Sequence, residues 1–344
     1  MNAEPRPAMR AVVQRGYGPP AEVLRVRDVC RPAPGEGEVL VRVRAASVHP
    51  DVWHVVAGLP RVLRLMGSGL RRPSPAVPGT DVAGTIAAVG AGVHQFAAGD
   101  EVFGETTAGM QWRNGGAYAE YVVAQADGLA TKPSDTTFEQ AATVPTAGLI
   151  ALLNLPDLET WEPGRRVLVI GAAGGVGAIA VQLARTAGAQ VTGVDHSSKL
   201  DLLRGLGASR VVDYTQDDVT QGGESYDLVF DVAGVRPYAA YRPILTARGR
   251  YVVIGHDHFG ARGRRLLGSV PRMIGLMARS FVDPRLPRPT AAPGRRESMA
   301  RLQELLADGR LTPVVDRTFQ LEQAGEAIGH LASGAARGRV VVVP

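Results

Sequence analysis

In the first third of the chain, apolar and polar residues alternate in short runs: "MRAVVQR", "VLRVRDV", "EVLVRVRAASV", "DVAGTIAAVG", "DEVFGE" and "AYAEYVVA", separated by Gly, Pro and Asp. A period of two, rich in β-branched residues and punctuated by turn formers, predicts strands; several in succession predict a barrel or sandwich. From about Ala130 the rhythm changes. The runs "RVLVIG", "QVTGVD", "RVVDY", "DLVFDV" and "RYVVIG" recur with helix-compatible segments between them, notably "AIAVQLARTAG" and "KLDLLRGLG". That alternation predicts an α/β domain with a doubly wound parallel sheet. After the Pro-rich "DPRLPRPTAAPG" come a helix pattern, "RESMARLQELLADG", then "VVDRTF", the short helix "EQAGEAIGHLASG" and the strand "GRVVVVP". The tail is therefore expected to rejoin the first domain, giving a division into 1–129, 130–287 and 288–344.

The stretch "VLVIGAAGGVGAIAVQ", Val167 to Gln182, joins a strand to a helix through Gly171, Gly174, Gly175, Val176 and Gly177. Without side chains in the turn, backbone N–H groups approach a dinucleotide pyrophosphate at the helix N-terminus, and Gly177 lets helix and strand pack closely. Eighteen residues after Gly177, Asp195 ends the next strand, where a carboxylate accepts hydrogen bonds from the adenosine ribose. A 2′-phosphate there would meet a like charge, a repulsion of roughly 4 kcal/mol at about 4 Å and an effective dielectric near 20, before screening. NADH is accordingly the favoured cofactor and NADPH the runner-up, since Ser197, Ser198, Lys199 and Arg204 follow closely and form a possible phosphate cradle.

Composition narrows the partners. Of the 38 basic residues all but Lys132 and Lys199 are Arg, and nine of them lie between Arg262 and Arg296 with one acid, Asp283. A nucleic-acid groove interleaves aromatics with its cations, and Phe281 is alone in that segment, so a solvated basic face is expected and no nucleic acid. The single cysteine, Cys30, excludes a disulfide within the chain and a cysteine-based zinc cluster, and fits a reducing cytoplasm. No apolar run reaches the roughly 18 residues that span a membrane. Pro271 is expected to interrupt "LLGSVPRMIGLMARSF", which argues against a membrane-surface helix.

With these landmarks placed, the chain resembles the medium-chain dehydrogenase/reductase superfamily, in its zinc-independent quinone oxidoreductase and enoyl reductase branch. The resemblance rests on "PAPGEGEVLVRVRAASVHPDVW", "VPGTDVAGTIAAVGAGV" with "GDEVFG", "GGAYAEYVV", "AATVPTAGLIAL", "PGRRVLVIGAAGGVG", "ASRVVDY", "YDLVFDVAG" and "ARGRVVVV", in family order from about Met9 to the C-terminus. It implies a GroES-like β-barrel catalytic domain plus a Rossmann domain, acting as a cytoplasmic homodimer. It implies hydride transfer from NAD(P)H to an activated C=C (enone or enal) or a quinone, on a small apolar substrate. The alternatives are an NAD(P)-dependent alcohol or ketone dehydrogenase and a non-catalytic nucleotide-binding redox sensor.

The resemblance also assigns residues. His49 stands at the first catalytic cysteine of zinc-dependent relatives and Thr80 at their ligand histidine, so no metal is expected; zinc needs three or four protein ligands, and His49 with Asp81 is too few. His54, His256 and His258 also form no ligand spacing. In the loop where quinone reductases carry Asn, Asp and Tyr, this chain has His49, Val52 and His54 at those places, with the acid moved to Asp51. His54 is the expected proton donor to the developing oxyanion, His49 a second donor or ribose contact, and Asp51 a turn or cap residue with a lesser catalytic claim. Cofactor contacts carry over to Thr146 near the nicotinamide, Tyr214 at the adenosine edge, Val232, Ala233, Gly234, Ile254 and Gly255 at strand ends, and Arg339 in a C-terminal basic loop. Leu59, Leu63, Leu65 and Met66, together with the 266–281 segment, are expected to roof an apolar pocket.

Overall fold

The computed structural model describes residues 7–107, 113–155, 158–255, 265–288 and 294–344. Two compact units emerge, Met1–Thr146 with Gly294–Ala307 and Val315–Pro344, and Ala147–Pro293 with Asp308–Val314. The strands in chain order are β1 (Ala8–Gln14), β2 (Leu24–Cys30), β3 (Glu38–Val48), β4 (Asp81–Val89), β5 (Glu101–Glu105), β6 (Tyr121–Gln125) and β7 (Leu129–Thr131) in the first unit. The second unit holds β8 (Arg166–Ile170), β9 (Gln190–Asp195), β10 (Arg210–Asp213), β11 (Tyr226–Asp231) and β12 (Leu245–Val253), and the tail adds β13 (Val315–Gln320) and β14 (Arg339–Val343) to the first.

In the first unit β1 and β2 form an antiparallel ribbon, while the main sheet runs β13-β14-β3-β4-β5-β7 with β6 also on β3. The tail returns as its pattern predicts: Val340, Val341 and Val342 pair with Val48, Ser47 and Ala46 of β3 and are buried. Val41, Val43, Ile86 and Val102 complete the apolar filling, the inward halves of alternating strands. Residues 130–146 fall with this unit and not with the parallel sheet, because β7 pairs with β5 and the helix Phe138–Ala142 packs on β3 and β4. Lys132 is buried there, its ammonium shared among the Glu101 carboxylate and the carbonyls of Pro133 and Thr136.

The second unit is a five-stranded parallel sheet, order β10-β9-β8-β11-β12. Its central strand β8 feeds the helix Gly175–Thr186, which buries Val176, Ile179, Val181 and Leu183 on its way to β9. Pro271 does not interrupt a helix. It sits in the first turn of the helix Val270–Ser280, where its missing N–H leaves no bond unmade. That helix leaves Met273, Ile274 and Met277 exposed.

The basic segment is only partly a solvated face. Arg272 donates to the carbonyls of Gly234 and Arg236, Arg279 lies over the Tyr238 ring, and Arg295 pairs with Glu105. Arg262, Arg264, His256 and His258 lie outside the described residues. No helix among the described residues is long and apolar enough to cross a membrane.

Candidate active site

Four features shape the glycine turn. Gly171 has φ +71°, in the left-handed region. A Cβ on Gly177 would lie 2.3 Å from the Gly171 carbonyl oxygen, so any other residue would push the helix off the turn. The helix begins at Gly175 with Gly174 as an N-cap that has no side chain to satisfy the first N–H groups, which leaves them for an anion. Gly255 lets the end of β12 pass the end of β11, since a Cβ there would meet the Val232 carbonyl oxygen at 1.9 Å. Val232, Ala233 and Gly234 are held by Asp231, whose carboxylate accepts the Gly234 N–H at 2.8 Å and the Tyr251 hydroxyl at 2.9 Å. Ile254 donates its N–H to the Asp231 carbonyl at 2.9 Å.

Asp195 is buried at the end of β9, with one carboxylate oxygen on the Ala173 N–H and the other on the His196 N–H, both at 2.9 Å. Lys199 stands 3.7 Å from it. The carboxylate thus braces the glycine turn and has a cation beside it. Tyr214 is exposed, its ring edge-on to His196 at 6.1 Å.

The first unit holds a buried polar cluster that gathers Ser47 and His49 at the end of β3, Asp51, Thr80 and Asp81, Glu105, Thr146 and Arg339. Arg339 is not in an exposed loop; it opens β14, is 3% exposed and reaches toward the Val48 carbonyl. Asp81 accepts from the Ser47 hydroxyl at 2.9 Å and from the Thr146 N–H. The Thr146 hydroxyl lies against both Asp81 and, at 2.7 Å, Glu105, and has one proton to share between them; Glu105 also pairs with the Arg295 guanidinium. Thr146, expected at the nicotinamide, is thus engaged with two carboxyl groups. His49 Nε2 is 2.7 Å from the Thr80 hydroxyl, and its Nδ1, with no hydrogen-bond partner, is 3.7 Å from Asp51.

Burial sets the protonation here. It pushes His49 down to about 3, helped by the Arg339 charge and opposed by Glu105, so the ring is neutral. It pushes Asp51 up to about 7; Arg339 opposes, while Asp81 and Glu105 reinforce it. Asp81 is raised by burial too, against Arg339 and its hydrogen bonds from Thr146 and Ser47. Burial lowers Arg339, and the opposing Asp81 and Asp51 charges hold it up.

His54 stands apart from this set. Buried in the last turn of the helix Pro50–Ala57, its Nδ1 lies 2.7 Å from the Leu59 carbonyl. A carbonyl only accepts, so Nδ1 carries a hydrogen and donates it to Leu59. The apolar roof is also dispersed: Leu63 is buried, whereas Leu65 and Met66 are exposed. In the second unit a cavity of 860 Å³ lies against β12, lined by Trp161, Tyr251, Met273 and Met277 and by none of the turn glycines. Asp81, Glu105, Ser47, Arg295 and Asp231 were given no role in the sequence reading. The available signal was a carboxyl inside an apolar strand run, as in "GTDVAGTI" and "DLVFDV".

Comparison with known proteins agrees with both units. A family model described as alcohol dehydrogenase GroES-like domain matches residues 35–134, and one described as zinc-binding dehydrogenase matches residues 206–342. The chain is 31% identical to the quinone-oxidoreductase QR1, chloroplastic, of Triphysaria versicolor, over 98% of each. It is 30% identical to the NADPH-dependent alkenal/one oxidoreductase, chloroplastic, of Arabidopsis thaliana, covering 98% of this chain and 80% of that one. The solved structure of the quinone oxidoreductase from Coxiella burnetii superposes with TM-score 0.82 at 28% identity, covering 98% of this chain and all of the other (100%).

The His54 geometry generates a prediction. His54→Phe strands the Leu59 carbonyl and lowers unfolding stability by about 1 kcal/mol, with cofactor affinity unchanged. Denaturant titration and cofactor fluorescence check it, and unaltered stability would show that the bond does not hold the helix end.

Proposed function

The chain belongs to the medium-chain dehydrogenase/reductase superfamily, in its quinone oxidoreductase and enoyl reductase branch, and on that premise we propose that it uses NAD(P)H to reduce a quinone or a carbonyl-conjugated C=C bond. The observation that carries this is the glycine turn, whose uncapped helix N-terminus and close strand approach fit a dinucleotide. When bound, the nicotinamide supplies the hydride. The chain's part is to cradle the pyrophosphate with the amides that follow Gly174, to meet the adenosine ribose near Asp195, and to supply a proton.

Catalytic zinc does not fit the donor set. At the positions where zinc-dependent relatives hold the metal this chain has His49, whose Nε2 lies 2.7 Å from the Thr80 hydroxyl, and Thr80 itself, and the adjacent Asp81 accepts hydrogen bonds from Ser47 and Thr146. Among the described residues no group of three or more His, Cys, Asp or Glu side chains has ligand geometry. Reduction of a plain carbonyl leans on a Lewis acid, whereas hydride addition to a conjugated system spreads charge onto an enolate or quinolate oxygen that hydrogen-bond donors can stabilise. This favours the C=C and quinone substrates over a simple alcohol.

For the cofactor, Asp195 supports NADH, and Lys199 at 3.7 Å offsets part of the repulsion toward a 2′-phosphate. The preference is therefore modest. A second copy of the chain is proposed to cover the exposed Met273, Ile274 and Met277, because a two-fold contact buries the same apolar stripe twice.

Three outcomes are expected. Exhaustive chelation leaves turnover of an enone, enal and benzoquinone panel, followed by nicotinamide absorbance, unchanged; activity that needs stoichiometric zinc refutes the metal-free reading. The wild type binds NADH more tightly than NADPH by less than about tenfold, and Asp195→Ser shifts the ratio toward NADPH; a tenfold preference for NADPH in the wild type would reverse the assignment. Met277→Glu shifts the mass measured by light scattering from dimer to monomer, and a wild-type monomer rules the contact out.

A further inference from the structure

Three carboxyl groups share the buried cluster of the first unit, and two are fully engaged. Asp81 receives hydrogen bonds from Ser47 and Thr146, and Glu105 is held by Thr146 and Arg295. Asp51 differs. Among the described residues nothing donates a hydrogen bond to its carboxyl; His49 Nδ1, itself without a hydrogen-bond partner, lies 3.7 Å away. Its side chain is 11% exposed, in the first turn of the helix Pro50–Ala57.

We propose that Asp51, as a neutral carboxylic acid, supplies the proton that completes the reduction, with His49 held beside it as a neutral ring by Thr80. The proposal rests on the reductase reading above and names the acid of that site. Hydrogen bonds favour the ionised form of a carboxyl, and Asp81 has them while Asp51 has none. The charges facing Asp51 are Arg339 from β14, Asp81 from β4 and Glu105 from β5, with His49 neutral. The two acids together offset Arg339, so burial decides, and the proton stays on Asp51 up to about pH 7.

The step balances simply. A nicotinamide cofactor held at the glycine turn would supply the hydride, leaving the conjugated substrate as an enolate or quinolate. The Asp51 O–H bond then breaks, a C–H or O–H bond forms on the reduced substrate, and Asp51 is left as a carboxylate. Solvent reprotonates it through its exposed edge.

The test combines kinetics with a direct titration. In the wild type, kcat on the enone or quinone turned over is expected to be level below about pH 7 and to fall about tenfold per pH unit above it. Asp51→Asn should lower kcat by about 10²-fold, abolish that limb and leave cofactor Kd unchanged. Carbon-13 NMR of aspartate carboxyls in the wild type should show one group titrating near neutrality, the signal that disappears in Asp51→Asn. A wild type that turns over with no such limb, or a limb that persists in Asp51→Asn, overturns Asp51 as the acid and leaves the reductase reading standing. Should the variant not fold, a wild type with no aspartate titrating near neutrality overturns it equally. Cofactor binding with no turnover of any panel member overturns the reductase reading instead, and the carboxyl titration then decides the state of Asp51 by itself.

Discussion

A guanidinium buried to 3% exposure is the constraint on which the polar centre of the first unit depends. Arg339 enters the interior because β14 lies between β13 and β3, so the strand that closes the sheet carries its first residue inward. A buried cation without partners is strongly destabilising, and Asp81 is the largest source of opposing charge. Glu105 brings its own partner in Arg295. With three carboxyl groups against two guanidiniums, charge balance in a medium of low polarisability retains one proton. Burial raises both Asp81 and Asp51, and we place that proton on Asp51, which among the described residues has no hydrogen bond to stabilise its anion.

The second unit solves a different problem, shaping a turn that must stay open to an anion. Its glycines remove side chains where strand, helix and ligand converge, and the Asp195 carboxylate, drawn in by the Ala173 amide, fixes the loop between β8 and its helix. Asp231 does the same for the turn after β11. The two acids, at the ends of the strands on either side of β8, use backbone N–H groups in the same way, and both leave the cradle formed before a cofactor arrives.

Much of this was legible in the sequence because it is local. The strand runs, the glycine turn, Asp195 and the returning tail each follow from a pattern spanning a few residues, and each has its element in the structure. The helix Pro50–Ala57 was not read, because "PDVWHVVA" is short and its β-branched residues resemble a strand. The acid cluster was hidden for another reason. Positions 47, 81, 105 and 339 meet through strand pairings and 51, 146 and 295 arrive on helices, so no spacing announces them. His54 drew attention as a histidine in the right loop, but a carbonyl five residues away takes up its Nδ1 hydrogen, and that bond depends on how the helix ends.

The two lysines, Lys132 and Lys199, are both buried, one capped by carbonyls and Glu101, the other beside Asp195. Histidines aside, the basic side chains on the surface are therefore all guanidinium. Arginine does not deprotonate in the range proteins experience, so the surface cations keep their charge far into alkaline solution. The same feature leaves acylating reagents, aldehydes and amine cross-linkers no exposed lysine amine to attack, whereas arginine-directed dicarbonyls would find many sites.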